Sequence, residues 1–152
     1  MKNLYFASDH AGFRLKNSLM EDLKKSEANW KAIDLGTHSE ESCDYPLFAK
    51  KMADAICGDK NARGILICGT GIGMSIAANR FSHVRAALCF NREMAEFSRR
   101  HNDANVMVFG AKIIDHNLGW ECIEIFLHTN FDGERHERRL NLIKSFDGGF
   151  KG

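Results

Sequence analysis

Gly64-Ile65-Leu66-Ile67-Cys68-Gly69-Thr70-Gly71-Ile72-Gly73-Met74-Ser75-Ile76-Ala77-Ala78-Asn79 runs from a short apolar stretch through a glycine-rich loop into a helix-length segment. An unbroken apolar run of this length, closed by glycine, reads as a strand buried on both faces. The alternating glycines let the backbone turn tightly and bring N–H groups close to an anion, helped by the positive end of the next helix. A strand, a glycine loop and a helix in this order form one unit of an open parallel sheet.

The same alternation continues in both directions. Further strand-length runs fall at residues 4–8, 32–35, 84–90 and 106–109. Between them, Leu15, Leu19 and Leu23 keep an i, i+4, i+8 stripe, with Lys16, Glu21, Asp22 and Lys24 placed on the other side. Phe48, Met52 and Ile56 repeat that spacing ahead of Gly58, which reads as a helix stop. Helical segments are expected at 75–80, 92–100 and 115–128, with a closing helix at 134–146. Right-handed crossovers are nearly obligatory, so the expected architecture is α/β in three layers, α/β/α. The sheet is five-stranded, parallel, doubly wound and Rossmann-like, in the order 2-1-3-4-5, with a C-terminal helix. Ligands in such sheets lie beyond the carboxyl ends of the strands, at the switch point between strands 1 and 3. The loops 8–13 and 68–75 both fall there.

Length and composition bound the rest. A chain of 152 residues suits one domain, residues 1–152, burying roughly 70% of its unfolded surface, and leaves no room for a second catalytic domain. Lys plus Arg number 21 and Asp plus Glu 20, a net charge of +1, which argues against a broad nucleic-acid or anionic-membrane surface. Cys43, Cys57, Cys68, Cys89 and Cys122 are odd in number, widely spaced and contain no C-x-x-C pair, so neither a disulfide framework nor a zinc knuckle is expected. The apolar stretch Leu4 to Ala7 is cut by Ser8-Asp9-His10 too early for a signal-peptide core, and no later run reaches membrane-spanning length. A cytoplasmic location is expected.

The glycine loop is not a Walker A motif, because no Gly-Lys-Ser/Thr closes it. Its Gly69-x-Gly71-x-Gly73 spacing also departs from the dinucleotide fingerprint. Glycine spacing alone fits a plain tight turn equally well. Cys68 adds the chemistry: a cysteine ending a strand is commonly a small buried hydrophobe, but at the mouth of this loop a thiolate is favoured and could act as a base. Thr70 could place a hydroxyl beside it, and neighbouring N–H groups could stabilise an oxyanion. Asp9-His10, in isolation a helix cap and a surface histidine, lie beside that loop. Near the C-terminus Arg135 and Arg139, in a run that otherwise reads as a solvated helix face, stand at i, i+4 and could clamp one phosphate. Arg99-Arg100-His101-Asn102-Asp103 closes a helix, where cations suit the dipole.

Taken together, D-H-A-G-F (9–13), D-Y-P (44–46), G-I-L-I-C-G-T-G-I-G-M-S-I-A-A-N (64–79), R-H-N-D (100–103) and R-H-x-R-R (135–139) resemble, in order, the motifs of the B-type ribose-5-phosphate isomerases. That family includes allose- and galactose-6-phosphate isomerases, and the resemblance extends to about residue 143. It implies interconversion of D-ribose 5-phosphate and D-ribulose 5-phosphate through a cis-enediolate, in the non-oxidative pentose phosphate pathway, with no metal and no cofactor. By this resemblance Cys68 moves the proton between C2 and C1, while Thr70 and the N–H groups of Gly69, Gly71, Ile72 and Gly73 stabilise the enediolate. His101 assists opening of the furanose ring, with Asp9 acting on the same hydroxyl system. Arg135 and Arg139 hold the phosphate with His10 close by, and Tyr45 and Asn102 line the sugar pocket. Lys112 stands where many relatives have arginine; it keeps the charge but loses the planar fork, so this contact is expected to be weaker or merely structural.

One expectation comes from topology. Cys68 ends its strand at the carboxyl edge, whereas His101 follows a helix that has run back across the sheet and precedes strand 5, expected at the opposite edge. His101 and Asn102 are therefore expected from the neighbouring subunit of a C2 homodimer, in agreement with the composite sites of the family; whether dimers pair into tetramers stays open. Two alternatives remain. One is a six-carbon sugar phosphate as substrate, and the other is a non-catalytic nucleotide-binding module that uses the glycine loop only to hold an anion.

Overall fold

The apolar runs become five parallel strands, β1 (Lys2–Ser8), β2 (Trp30–Asp34), β3 (Arg63–Cys68), β4 (Ala86–Leu88) and β5 (Val106–Gly110). Helices α1 (Phe13–Lys25), α2 (Tyr45–Ile56), α3 (Ile72–Ala78), α4 (Arg92–Arg100), α5 (His116–His128) and α6 (Glu134–Lys144) follow or join them. The computed structural model describes residues 1–146; residues 147–152 of the expected unit lie outside the described residues.

Strand faces alternate with period two, and this sorts the core into two layers. Leu4 and Phe6 of β1, Ile65 and Ile67 of β3, and Met107 and Phe109 of β5 meet Leu19 and Leu23 of α1 and Ile123 and Phe126 of α5. On the other face Ala7, Leu66, Cys68, Val106 and Val108 meet Phe48, Met52 and Ile56 of α2 and Met74 and Ala78 of α3. Cys68 thus ends its strand on the α2/α3 side. α2 starts just after Asp44, with Pro46 in its first turn, where the missing N–H leaves no hydrogen bond unmade.

The strand order is β2-β1-β3-β5-β4, which corrects the expected 2-1-3-4-5 by exchanging the last two. β5 pairs with β3 from Gly64↔Val106 to Cys68↔Gly110 and with β4 from Ala86↔Val106 to Leu88↔Val108. The physical reason is burial. Every residue of β5 is buried, and a large apolar side chain so placed contributes about 1.5–3 kcal/mol, which favours an interior position. β4 shrinks from the expected 84–90 to three half-buried residues. Its outer edge is blunted by Asn79, whose side chain accepts from Ala86 N–H and donates to Ala86 C=O, both at 2.9 Å.

Lys16 also departs from expectation. Rather than facing solvent, it is fully buried and its Nζ lies 2.6 Å from both oxygens of Asp34. The aliphatic stem joins the apolar side of α1 and the ammonium finds its partner at the end of β2. Among the described residues no helix is long and apolar enough to cross a membrane.

Candidate active site

Cys68 is 4% exposed, and the N–H of Gly71 donates to its Sγ at 3.1 Å. That bond depends on a left-handed turn: Gly71 has φ of 79° and precedes α3. A β-carbon there would stand 2.5 Å from Leu88 Cδ1 and 3.0 Å from the carbonyl carbon of Phe109. Gly71→Ala is therefore expected to cost about 1–3 kcal/mol in backbone strain alone. Denaturant unfolding would read this, and an unchanged midpoint would mean that the loop has another conformation available.

Three further segments converge on this loop. Tyr45, at the start of α2, lies against it, since a β-carbon on Gly73 would sit 2.6 Å from Tyr45 Cζ. Lys112, just past β5, donates its N–H to Gly69 C=O at 2.9 Å, and its side chain passes over Gly69. The loop after β1 supplies Asp9 and His10. Asp9 is buried, with Oδ1 accepting from the N–H groups of Ala11 and Gly12 at 3.0 and 3.2 Å, so the carboxylate is fixed by its own turn. His10 Nδ1 accepts from the N–H of Cys43 at 3.2 Å, which leaves Nε2 as the proton-bearing nitrogen of the neutral ring. Thr70 is exposed, and Ile72, also exposed, donates its N–H to Thr70 Oγ1 at 3.4 Å.

His101, Asn102, Arg135 and Arg139 form a second group. His101 caps α4 and is the middle ring of a stack, with Phe97 at 4.6 Å and 17° on one side and His136 at 4.3 Å and 11° on the other. Buried Arg99 donates to Ala104 C=O at 2.5 Å and meets Asp103 at 2.9 Å, which shapes the turn carrying His101 and Asn102. Arg135 and Arg139 are exposed on α6, while His136 and Leu140 face inward. Desolvation, then the charges of His101, Arg135 and Arg139, holds the His136 imidazole below its ordinary pKa.

The two groups lie at opposite ends of β5. Cys68 pairs with Gly110 at the carboxyl end of β5, and His101 precedes Val106 at its amino end. Four residues of strand separate those levels by roughly 13 Å. The expectation that strand 5 lies at the far edge is corrected, because β5 is the direct neighbour of β3. What separates the groups is the length of the sheet and not its width. His136 and Phe97 carry no role in the sequence reading; the signal available for His136 was its i, i+4 spacing to Leu140, a buried stripe hidden among charges.

A family model described as Ribose/Galactose Isomerase matches residues 4–143. Ribose-5-phosphate isomerase B of Escherichia coli strain K12 is 40% identical over 147 residues, covering 97% of each chain. A ribose 5-phosphate isomerase structure from Thermotoga maritima superposes with a TM-score of 0.90 at 45% identity, over 94% of this chain and 97% of that one. A ribose-5-phosphate isomerase B from Mycoplasma genitalium, with bound ribulose-5-phosphate, superposes with a TM-score of 0.92 at 35% identity over 98% of each chain. The matched span includes the loop carrying Cys68 and all but the ends of the sheet and of the basic C-terminal helix, and the chain belongs to the ribose/galactose isomerase family.

Proposed function

We propose that the chain, as one sugar-phosphate isomerase domain, interconverts D-ribose 5-phosphate and D-ribulose 5-phosphate in a site assembled from two subunits. The observation that carries this reading is the placement of Cys68 at the end of β3, where a backbone N–H addresses its sulfur and the Asp9-His10 loop adjoins. In the open-chain aldose the Cys68 thiolate takes the proton from C2. The C–H electron pair forms the C1–C2 double bond, and the carbonyl oxygen receives the charge. The proton on O2 then passes to O1 across the cis-enediolate, the same thiol returns its proton to C1, and C2=O2 forms as the double bond gives up its electron pair to the new C1–H bond, giving the ketose. Thr70 and the N–H groups of Gly69, Gly71, Ile72 and Gly73 are donors for the developing oxyanion.

His101 from the neighbouring subunit assists ring opening, with Asp9 on the same hydroxyl system; Tyr45 and Asn102 line the sugar. Arg135 and Arg139 hold the phosphate with His10 and Lys112 near it, so binding energy is gathered away from the reacting carbons. Every step uses side chains and backbone donors.

Exposed apolar residues flank both groups and support a homodimer: Ile72 and Ile76 beside the Cys68 loop, and Leu142 and Ile143 on α6. The five free cysteines support a reducing, cytoplasmic setting. Arg135→Ala is expected to raise KM about tenfold to a hundredfold, the worth of a hydrogen bond to a charged group, with kcat nearly kept. A steady-state comparison checks it, and an equal fall in kcat would move Arg135 into the chemistry.

Measuring kcat/KM on ribose 5-phosphate, allose 6-phosphate and galactose 6-phosphate tests the whole reading. Ribose 5-phosphate is expected to lead. A hexose phosphate in first place would transfer the substrate assignment, for which Lys112 in place of arginine is the motivating feature. No turnover of any sugar phosphate, together with tight nucleotide binding, would leave only an anion-binding module.

A further inference from the structure

The stack around His101 contains donors that the reaction does not use. Ligand atoms of His101, Asp132 and His136, one from each residue, lie within 4.8 Å of one another. His136 is only 6% exposed, and its Nε2 has no hydrogen-bond partner. A buried polar atom left in that state is costly, about 1–3 kcal/mol, unless something else reaches it. Asp132 is held nearby because its N–H donates to Arg100 C=O at 3.0 Å, next to His101 at the end of α4.

Two imidazoles and one carboxylate make a donor set suited to zinc and its neighbours, and poorly suited to magnesium or calcium, which prefer oxygen. We propose that His101, Asp132 and His136 form a binding site for a divalent transition ion of the zinc class, and that the bound ion reversibly inhibits the isomerase by holding His101. The inhibitory part rests on the role given to His101 above; binding itself does not.

The arrangement requires a small adjustment. The His101 and His136 rings are stacked at 4.3 Å and 11°, so their in-plane lone pairs run side by side. A tetrahedral ion with bonds of about 2.0–2.2 Å needs converging donors roughly 3.3 Å apart. His136 is fixed by burial, so half-buried His101 is the ring that turns. Asp132 is paired with Arg100 at 3.1 Å in an exposed ion pair, which contributes little to stability; one carboxylate oxygen can keep that pair while the other binds the ion. Arg100, Arg135 and Arg139 weaken cation binding, and the Asp132 charge opposes them. A water completes the tetrahedron.

The test uses the full chain, stripped by chelator and titrated with Co²⁺. One ion per chain is expected, with the visible absorption of a nitrogen and oxygen site, no thiolate-to-cobalt charge-transfer band, and displacement by Zn²⁺. Asp132→Asn changes an exposed residue outside the reaction, and His136→Gln is its buried counterpart. Each should weaken Co²⁺ at least about tenfold, since loss even of an outer-shell partner costs 10–100-fold. Zn²⁺ should suppress wild-type turnover, chelator should restore it, and Asp132→Asn should keep its activity at Zn²⁺ concentrations that halve that of the wild type. Unchanged Co²⁺ affinity in Asp132→Asn, or a thiolate band, overturns the site. A verified site with full turnover overturns the inhibition. Absence of isomerase activity in metal-free protein would instead overturn the functional reading, while the Co²⁺ spectrum would still stand as evidence for the site.

Discussion

Cys68→Ala is expected to lower kcat by about 10²–10⁴-fold, the usual contribution of a positioned general base, while substrate still binds through the arginine pair. Alanine also removes the acceptor for the Gly71 N–H, and an unsatisfied buried donor costs about 1–3 kcal/mol. The alanine variant alone therefore mixes a chemical loss with a loss of loop order. Cys68→Ser separates them. Its hydroxyl can accept from Gly71 and keep the loop turned, but it is a much weaker acid than a thiol and does not supply an anionic base near neutral pH. Both variants should lose turnover, and the serine variant should keep a near-native unfolding midpoint. Near-normal kcat in Cys68→Ser would remove Cys68 as the proton carrier and move attention to Asp9, the buried carboxylate of the adjoining loop.

The readable parts of this chain are those where local pattern and burial coincide. β3 and its loop were legible because an all-apolar run, a cysteine and three alternating glycines admit few backbones, and the structure keeps each of those residues at the β1/β3 switch point. The order of β4 and β5 was misread because adjacency in a sheet is not written in sequence order. The cue was there: Val106-Met107-Val108-Phe109 is apolar on both faces, whereas Ala86-Ala87-Leu88 is short and offers little to bury. Lys16 is misplaced in the pattern because its charge outweighs its neighbours, and its partner Asp34 lies on β2, outside its own helix. His136 was overlooked for a related reason, since a histidine inside a run of arginines and glutamates reads as surface until its spacing to Leu140 is considered. The strand order and the Lys16–Asp34 pair turn on partners distant in sequence, which local periodicity does not record.

An equal mixture of Cys68→Ala and His101→Ala subunits is expected to recover about a quarter of wild-type activity. The number follows from two-fold symmetry. Random pairing makes half of the dimers mixed, and each mixed dimer holds one site with both groups intact and one site with neither. Within a single subunit the levels of Val106 and Gly110 are roughly 13 Å apart along β5, and His101 and Cys68 lie at those opposite ends. Reacting groups must approach to about 3–3.5 Å, so no side-chain rotation closes the gap. In the proposed dimer a second copy turned by 180° would close it, by bringing its α4 end and α6 to the first copy's Cys68 loop. Co-expression with two different tags and tandem purification isolates the mixed dimer directly and removes any dependence on subunit exchange; that species should show about half of wild-type activity. Sedimentation must find both single variants still dimeric. A purified mixed dimer no more active than its two parents would overturn the shared site.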